Sequence, residues 1–229
     1  AHAANVTPNI IFGSGNANGS FTIDTGSFAT GNLSGSVEVG LRAKLRFPPS
    51  NVFNWDGVDT YTFAPTAATP SNRSVFNFEW SIYVNASSSG TPLDLLDLSN
   101  FGARAELFFD TDPGPGVSYS SYDPLLAEPA YYGDLSTPDG GAGPEVVGIV
   151  DGATVAQQSW NYAFIPGGAP LGTGSYDMKL SVFNVPGDEI ASSEISINVV
   201  PVPPALPLLA AGVGGLAWLG RRRRKAAQG

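Results

Sequence analysis

The feature that most constrains the fold is a period-two alternation of apolar and polar side chains. Between residues 37 and 47 every second side chain is apolar, and charged or small residues stand between them. Since successive side chains of a β-strand point to opposite faces, the pattern predicts a strand with one buried and one exposed face. The alternation recurs at residues 76–82, 176–182 and 195–199. A turn sequence at 184–188 predicts that the last two strands form a closing hairpin.

Weaker strand patterns and the composition favour an all-β fold. Short strands are predicted at residues 21–24, 61–63, 103–109, 145–150 and 159–165, with a helical turn within 92–100. The 28 glycines and 19 prolines suit many strands joined by turns, and 42% hydrophobic residues suffice for a core. We therefore expect residues 9–199 to form an antiparallel two-sheet sandwich. Residues 112–145, rich in proline and glycine, are expected to be irregular.

The charge is distributed unevenly along the chain. Residues 1–199 hold six cationic and all twenty acidic side chains, which gives this body a net charge of −14. The other five cations form one cluster near the end of the chain, at Arg221, Arg222, Arg223, Arg224 and Lys225. A body this acidic repels phosphates, so a nucleic-acid partner is not expected.

Both ends of the chain carry patterns of export. Ala1 to Ala4 read small-x-small, as at the end of a secretory signal peptide, so residues 1–8 are expected to be such an end or a flexible terminus. Residues 205–220 carry no charge. As a helix they would span ~24 Å, less than the ~30 Å hydrocarbon core. We expect a short hydrophobic anchor helix, with Trp218 at the interface and the basic cluster on the cytoplasmic side.

The C-terminal segment, residues 200–229, resembles a known sorting signal. Its proline motif consists of Val200, Pro201, Val202, Pro203, Pro204 and Ala205, and the apolar stretch and the basic cluster follow. This order is similar to the VPLPA-type variant of the PEP-CTERM signal, in which leucine is usual at the position of Val202 and alanine at that of Pro204. Residues 40–44, 77–81 and 156–161 resemble segments of other PEP-CTERM-bearing proteins of unassigned role.

The resemblance implies a route for the chain. PEP-CTERM tails are recognised by a membrane-embedded exosortase, which is thought to cut near the proline motif. The resemblance also implies a Gram-negative bacterium, often one that makes exopolysaccharide or biofilm. The body would first lie in the periplasm, held at the inner membrane, and later at the cell surface or outside the cell. Consecutive prolines favour extended backbone, which suits presentation to a protease.

Motifs for catalysis are missing from the sequence. There is no cysteine, and the single histidine is His2. A Ser-His-Asp or Cys-His relay therefore lacks its base, and neither a zinc-protease motif nor a Walker loop occurs. A glycosidase needs only two carboxylates, but the sequence offers no means of pairing its twenty acids. We expect a protein that is not an enzyme and that needs no cofactor, with Ca²⁺ as the one ion to consider.

An acidic segment is the candidate calcium site. Asp110 and Asp112 lead into a glycine turn, and Asp123 follows further along. Carboxylates two residues apart can supply the hard oxygen ligands that Ca²⁺ prefers. The alternative is that the aspartates cap an Asx turn at the end of a strand.

Basic and aromatic residues are candidates for binding polysaccharide. Arg42, Lys44 and Arg46 share one face of a predicted strand, where they could hold an anionic polymer. The alternative is cross-strand pairing with Glu79 or Glu106. Aromatic side chains that could stack on sugar rings are Trp55, Tyr119, Tyr122, Tyr131 and Tyr132.

Two functional classes follow from these patterns. The first is a structural protein sorted to the cell surface, which associates with extracellular polymer or with itself. The second is a carbohydrate-binding module that acts on exopolysaccharide, with or without calcium. A glycan-cleaving enzyme is a third class, for which the sequence shows no catalytic pair.

Overall fold

Two β-sheets packed face to face make up most of the described part of the chain. The computed structural model describes residues 5–6, 21–30, 33–86, 93–134, 145–165, 168–185 and 187–201. The predicted all-β two-sheet sandwich is confirmed. The predicted C-terminal helix lies outside the described residues.

The first sheet has seven strands among the described residues. In spatial order they are β1 (Asn5–Val6), β2 (Phe21–Thr30), β3 (Leu33–Leu45), β5 (Phe76–Ala86), β10 (Val155–Trp160), β8 (Pro129–Gly133) and β9 (Glu145–Val147). All neighbours in this sheet pair antiparallel.

The second sheet has five strands within the described ranges. In spatial order they are β4 (Thr60–Phe63), β12 (Glu189–Val199), β11 (Gly174–Phe183), β6 (Arg104–Asp110) and β7 (Tyr119–Tyr122). The predicted closing hairpin is confirmed, because β11 and β12 pair antiparallel along their length. One pair departs from the antiparallel pattern. Strand β4 runs parallel to β12, which is possible because strands of both sheets and the helix lie between the two in sequence.

The hydrophobic core lies between the sheets. Alternate residues of β3 and β5 face inward, and Trp80 and Phe78 are almost completely buried. Alternate residues of β6, β11 and β12 meet them from the other sheet. A helix, α1 (Leu95–Asn100), fulfils the prediction of a helical turn and places Leu95 and Leu98 against this core. Its first turn is closed by a reciprocal capping box between Asp94 and Asp97.

Strand β3 differs from the prediction, which gave it one buried and one exposed face. It ends at Leu45 rather than at residue 47, and from Val39 onward the side chains of both faces are buried. The outer face is covered in part by aromatic rings, since the guanidinium carbon of Arg42 lies 4.0 Å from the ring centre of Phe21 and 4.9 Å from that of Phe53. Period-two alternation shows which residues share a face but not what covers that face.

Two further predictions need correction. Residues 112–145 are not wholly irregular, because they contain β7, which pairs with β6, and β8, which pairs with β10. The strand predicted at 159–165 ends at Trp160, where a 3₁₀ turn (Tyr162–Phe164) begins. Asn161 causes this change of direction. Its side-chain oxygen accepts a hydrogen bond from the amide of Ala163, as an N-cap does.

The two sheets come close at β2 and β12. The Ser193 hydroxyl donates to the carbonyl of Thr22 at 2.6 Å, and the Ser192 amide donates to an Asp24 carboxylate oxygen at 2.9 Å. A Cβ added at Gly26 would lie 1.7 Å from the carbonyl oxygen of Ile190. The absence of a side chain at Gly26 is therefore what lets the two backbones approach.

Candidate functional site

A cavity of about 430 Å³ is lined by β6 and β7 of the second sheet, by the loop before β8 and by the 3₁₀ turn. Its described lining consists of Phe109, Thr111, Ser120, Ser121, Tyr122, Ala127, Glu128, Tyr162 and Ile165. The volume falls in the range of small-molecule sites, which are mostly apolar with a few polar groups. The cavity can therefore take a ligand of about the size of one or two sugar units.

Aromatic rings form its walls. Phe109, on β6, stacks nearly parallel to Tyr122 with the ring centres 5.4 Å apart. Tyr162, in the 3₁₀ turn, meets Phe109 edge to face at 5.6 Å. Such offset and edge-on contacts stabilise aromatic clusters beyond the burial of their area. The walls are therefore fixed by packing rather than by the ligand.

Glu128 is the charged group of the cavity. Only 4% of the residue is exposed to solvent. The Tyr122 hydroxyl donates a hydrogen bond to Oε2 at 3.2 Å, whereas Oε1 is buried and has no hydrogen-bond partner in the described part of the chain. Burial raises the pKa of Glu128 to about 7, although the hydrogen bond from Tyr122 opposes the rise. Burial and the neighbouring Glu128 also raise the pKa of Tyr122.

The loop that carries Glu128 is held in place by backbone and side-chain bonds. The Asp123 carboxylate accepts a hydrogen bond from the amide of Leu125 at 2.8 Å, and the Asp123 carbonyl accepts one from Ala127 at 3.0 Å. Leu125 is buried, and its carbonyl accepts a hydrogen bond from the Tyr132 hydroxyl at 3.3 Å. These contacts orient Glu128 before any ligand binds.

The three aspartates of the candidate calcium site serve as turn caps. Asp110 Oδ1 accepts hydrogen bonds from the amides of Asp112 and Ser118, and Asp112 Oδ1 accepts one from Gly114. Asp123 caps the separate turn before Glu128. The observed bonds are therefore those of Asx turns, the alternative to a calcium site. Among the residues that the structure describes, no group of three or more acids and histidines is placed to hold a metal ion.

Of the basic residues considered for polysaccharide binding, Arg42 and Lys44 do not form an exposed surface. Arg42 and Lys44 are buried, and both pair with Glu79, which lies directly opposite Arg42 in the β3–β5 register. The cross-strand alternative is therefore right for Glu79. The other candidate, Glu106, pairs with Arg104 instead.

The predicted sugar-stacking residues separate into different roles. Tyr122 lines the cavity and Tyr119 is 41% exposed, whereas Tyr132 is buried in the core, against the prediction. Trp55 packs against the edge of the core, and Tyr131 lies on the other face of β8. The structure thus brings only Tyr122 into the cavity from this set.

Sequence reasoning missed Glu128 and Tyr162. A signal for Glu128 exists in the alternation Glu128, Ala130, Tyr132, because Glu128 directly precedes β8 and lies on the same buried side as Ala130 and Tyr132. No comparable signal marks Tyr162, because its place depends on the turn that Asn161 begins.

Of the sorting motif, the structure describes only the first two residues. The amide of Val200 donates to the carbonyl of Phe63 at 2.8 Å, which continues the β4–β12 pairing, and Pro201 is exposed. Val202, Pro203, Pro204, Ala205 and the basic cluster lie outside the described residues. Within the described ranges, no helix is long and apolar enough to cross a membrane.

Comparison of the chain with protein-family models gave no match, and comparison with curated proteins gave none either. The fold and the cavity therefore define the protein by its architecture alone. It is a two-sheet sandwich with an aromatic-walled cavity, and the described lining of that cavity holds one carboxyl group.

Proposed function

We propose that the chain is an exported, matrix-associated surface protein that binds extracellular polysaccharide, without catalysis, through the cavity beside Glu128. The observation that carries the proposal is that Glu128 lines a cavity walled by aromatic rings, while its buried Oε1 has no hydrogen-bond partner among the described residues. Desolvating a carboxylate oxygen without a partner costs free energy, and a bound hydroxyl group would recover it.

The chemistry of the lining suits a sugar ring. Aromatic faces pack well against the C–H groups of a pyranose, and the Glu128 carboxylate can accept a hydrogen bond from a sugar hydroxyl. Thr111, Ser120 and Ser121 also belong to the lining. The Thr111 and Ser121 hydroxyls already donate to the Ser118 carbonyl and to Glu106, so their oxygens remain as acceptors. Ligand sites commonly combine such apolar walls with a few polar groups.

The lining favours binding over hydrolysis. Glycosidases commonly place two carboxyl groups about 5–10 Å apart across the bond that they cut. Glu128 is the one carboxylate among the described lining residues. Its raised pKa is accounted for by burial alone and does not require a role as a general acid.

Binding of polysaccharides by the full chain tests this proposal. We expect at least one neutral polysaccharide from a panel of glucans, galactans and mannans to bind, and Glu128→Gln and Tyr162→Leu to weaken it by about tenfold or more. The control is Asp151→Asn, which removes an exposed acid that is not among the described lining residues. Titrations in Ca²⁺ and in chelator test the calcium prediction. Absence of binding across the panel, or equal affinity of the variants, would contradict the proposal.

The export part of the proposal rests on the C-terminal tail. Its resemblance to a PEP-CTERM signal makes a membrane-embedded exosortase the processing partner, with the tail held in the inner membrane before cleavage and the body released to the cell surface. The intact mass of the protein recovered from its host tests this. We expect a mass that lacks about the last 25–30 residues, the length of the tail. A cytosolic protein of full mass would contradict it.

A further inference from the structure

Among the residues that the structure describes, two arginines have no acidic partner, although the body is strongly acidic. Of the six cations in residues 1–199, four pair with carboxylates: Arg42 and Lys44 with Glu79, Arg104 with Glu106, and Lys179 with Glu189. Within the part of the chain that the structure describes, no carboxylate lies within 4.0 Å of Arg46 or Arg73.

Both unpaired arginines converge on one exposed ring. The guanidinium carbon of Arg73 lies 4.3 Å from the ring centre of Phe164, and that of Arg46 lies 5.1 Å from it. Phe164 is 44% exposed, and both arginines are partly exposed. Partial burial, together with the charge of Arg73, lowers the pKa of Arg46. The positive charges of Arg46 and Arg73 are therefore held close together at the surface, although they repel each other.

A buried network fixes this arrangement. Asn161 is completely buried, and its side-chain amide donates to the carbonyls of Ser74 and Phe76 while its oxygen accepts from the Ser74 amide. Asn161 also donates to Asn77 Oδ1, which accepts a hydrogen bond from Arg46 at 3.3 Å. The backbone next to Arg73 and the turn that carries Phe164 are therefore joined through one residue.

Contacts with described residues occupy few of the N–H donors of Arg46 and Arg73. A guanidinium group offers five N–H donors and can stack on an aromatic ring with its flat face. Arg46 donates to Asn77, and Arg73 donates to the carbonyl of Asn72 at 2.7 Å. The remaining N–H edges have the geometry that binds a planar carboxylate through two parallel bonds.

We propose that Arg46, Arg73 and Phe164 form a binding site for the carboxylate of an acidic polysaccharide. The choice of polymer rests on the proposed polysaccharide function, but the anion site rests on the arginines alone. The same 3₁₀ turn presents Tyr162 to the cavity and Phe164 to the arginines, so one polymer chain can contact both. Duplex nucleic acid, with one charge per about 1.7 Å of its axis, is disfavoured because the body carries −14.

Binding of polygalacturonate and of its fully methyl-esterified form, each to the full chain in the absence of divalent cations, tests this site. The esterified polymer has the same sugars without the charge. We expect the charged form to bind more tightly and to lose affinity with added salt. The double variant Arg46→Gln/Arg73→Gln should weaken its binding about tenfold or more and leave the esterified form unchanged.

Arg104→Gln is the matched control, since it removes one surface charge that already has an acidic partner. Double and control variants that lose affinity equally, or a double variant that loses none, would overturn the inference, as would failure of the unaltered chain to bind polygalacturonate. Glu128→Gln separates the two proposals. If that variant binds both polymers normally while the arginine variant loses the charged one, the anion site stands and the cavity is not the polysaccharide site.

Discussion

At the scale of single residues, Glu128 carries the most information about function. Its carboxyl group is buried, one oxygen has no hydrogen-bond partner among the residues described, and burial raises its pKa from 4.5 to about 7. Because the folded state holds this proton more tightly than the unfolded chain, the stability that it contributes is lost as pH rises from about 4.5 to about 7.

The first prediction concerns this loss of stability. Relative to Glu128→Gln, the unaltered chain should lose stability between pH 5 and pH 8, by an amount on the order of 3 kcal/mol. Urea unfolding at several pH values measures it. Asp123, whose pKa burial also raises, is present in both proteins and largely cancels in the comparison. A difference in unfolding free energy that stays constant over this range would show that Glu128 titrates normally.

A second prediction links the same group to binding. A sugar hydroxyl that donates to Oε1 favours the charged carboxylate, so ligand binding should lower the pKa of Glu128. Affinity for a neutral polysaccharide should therefore rise as pH increases through about 7 and then level off. Calorimetric titration from pH 5.5 to pH 8.5 measures this. An affinity that falls with pH would mean that the protonated carboxyl is the binding form.

Glu79 is the residue whose loss should cost most in stability. It lies 1% exposed between Arg42 and Lys44. Removing one partner of a buried charge cluster leaves uncompensated charge, which costs about 3–5 kcal/mol, whereas an exposed pair contributes at most about 1 kcal/mol. We expect Glu79→Gln to destabilise the fold by the first amount and Glu106→Gln by the second, as measured by urea unfolding. Similar small losses for both would show that the buried cluster is not needed for stability.

At the scale of elements, the junction of β2 and β12 holds the sheets together at one edge. Gly26 allows the backbones to approach, since an added Cβ would meet the Ile190 carbonyl at 1.7 Å. Gly172 is exposed, has ordinary backbone angles and has nothing within 4 Å of an added Cβ. These two glycines therefore make a matched pair for testing the junction.

We expect Gly26→Ala to destabilise the fold by about 3 kcal/mol or more, because a backbone clash cannot be relieved by a side-chain movement. Gly172→Ala should change stability by less than about 1 kcal/mol. Thermal and urea unfolding of the two variants measure these changes in stability. Equal stabilities would mean that the sheets do not meet at Gly26.

Elements with clear alternation were predictable, and those held by tertiary contacts were not. β11 and β12 carry long period-two patterns, and both were found from the sequence. β7 was missed because its residues, Tyr-Ser-Ser-Tyr, show no alternation of hydrophobicity and rely on pairing with β6. The burial of Arg42 was missed because a charged side chain is read as exposed unless its partner and its cover are known.

At the scale of the whole molecule, the cavity and the arginine pair lie on either side of one turn. Asn161 starts that turn, so its side chain positions Tyr162 for the cavity and Phe164 for the arginines. Neither site was visible in the sequence, because each gathers residues far apart along the chain. The tail motif was visible because it is contiguous and needs no fold to be recognised.

Amide hydrogen exchange of the full chain, with and without a bound neutral polysaccharide, tests the central claim most directly. The account predicts that the ligand slows exchange at residues 119–133 and 160–165, which border the cavity, and leaves the β2–β3 edge unchanged. Protection confined to the β2–β3 edge, or protection at the cavity that persists in Glu128→Gln with undiminished affinity, would contradict it.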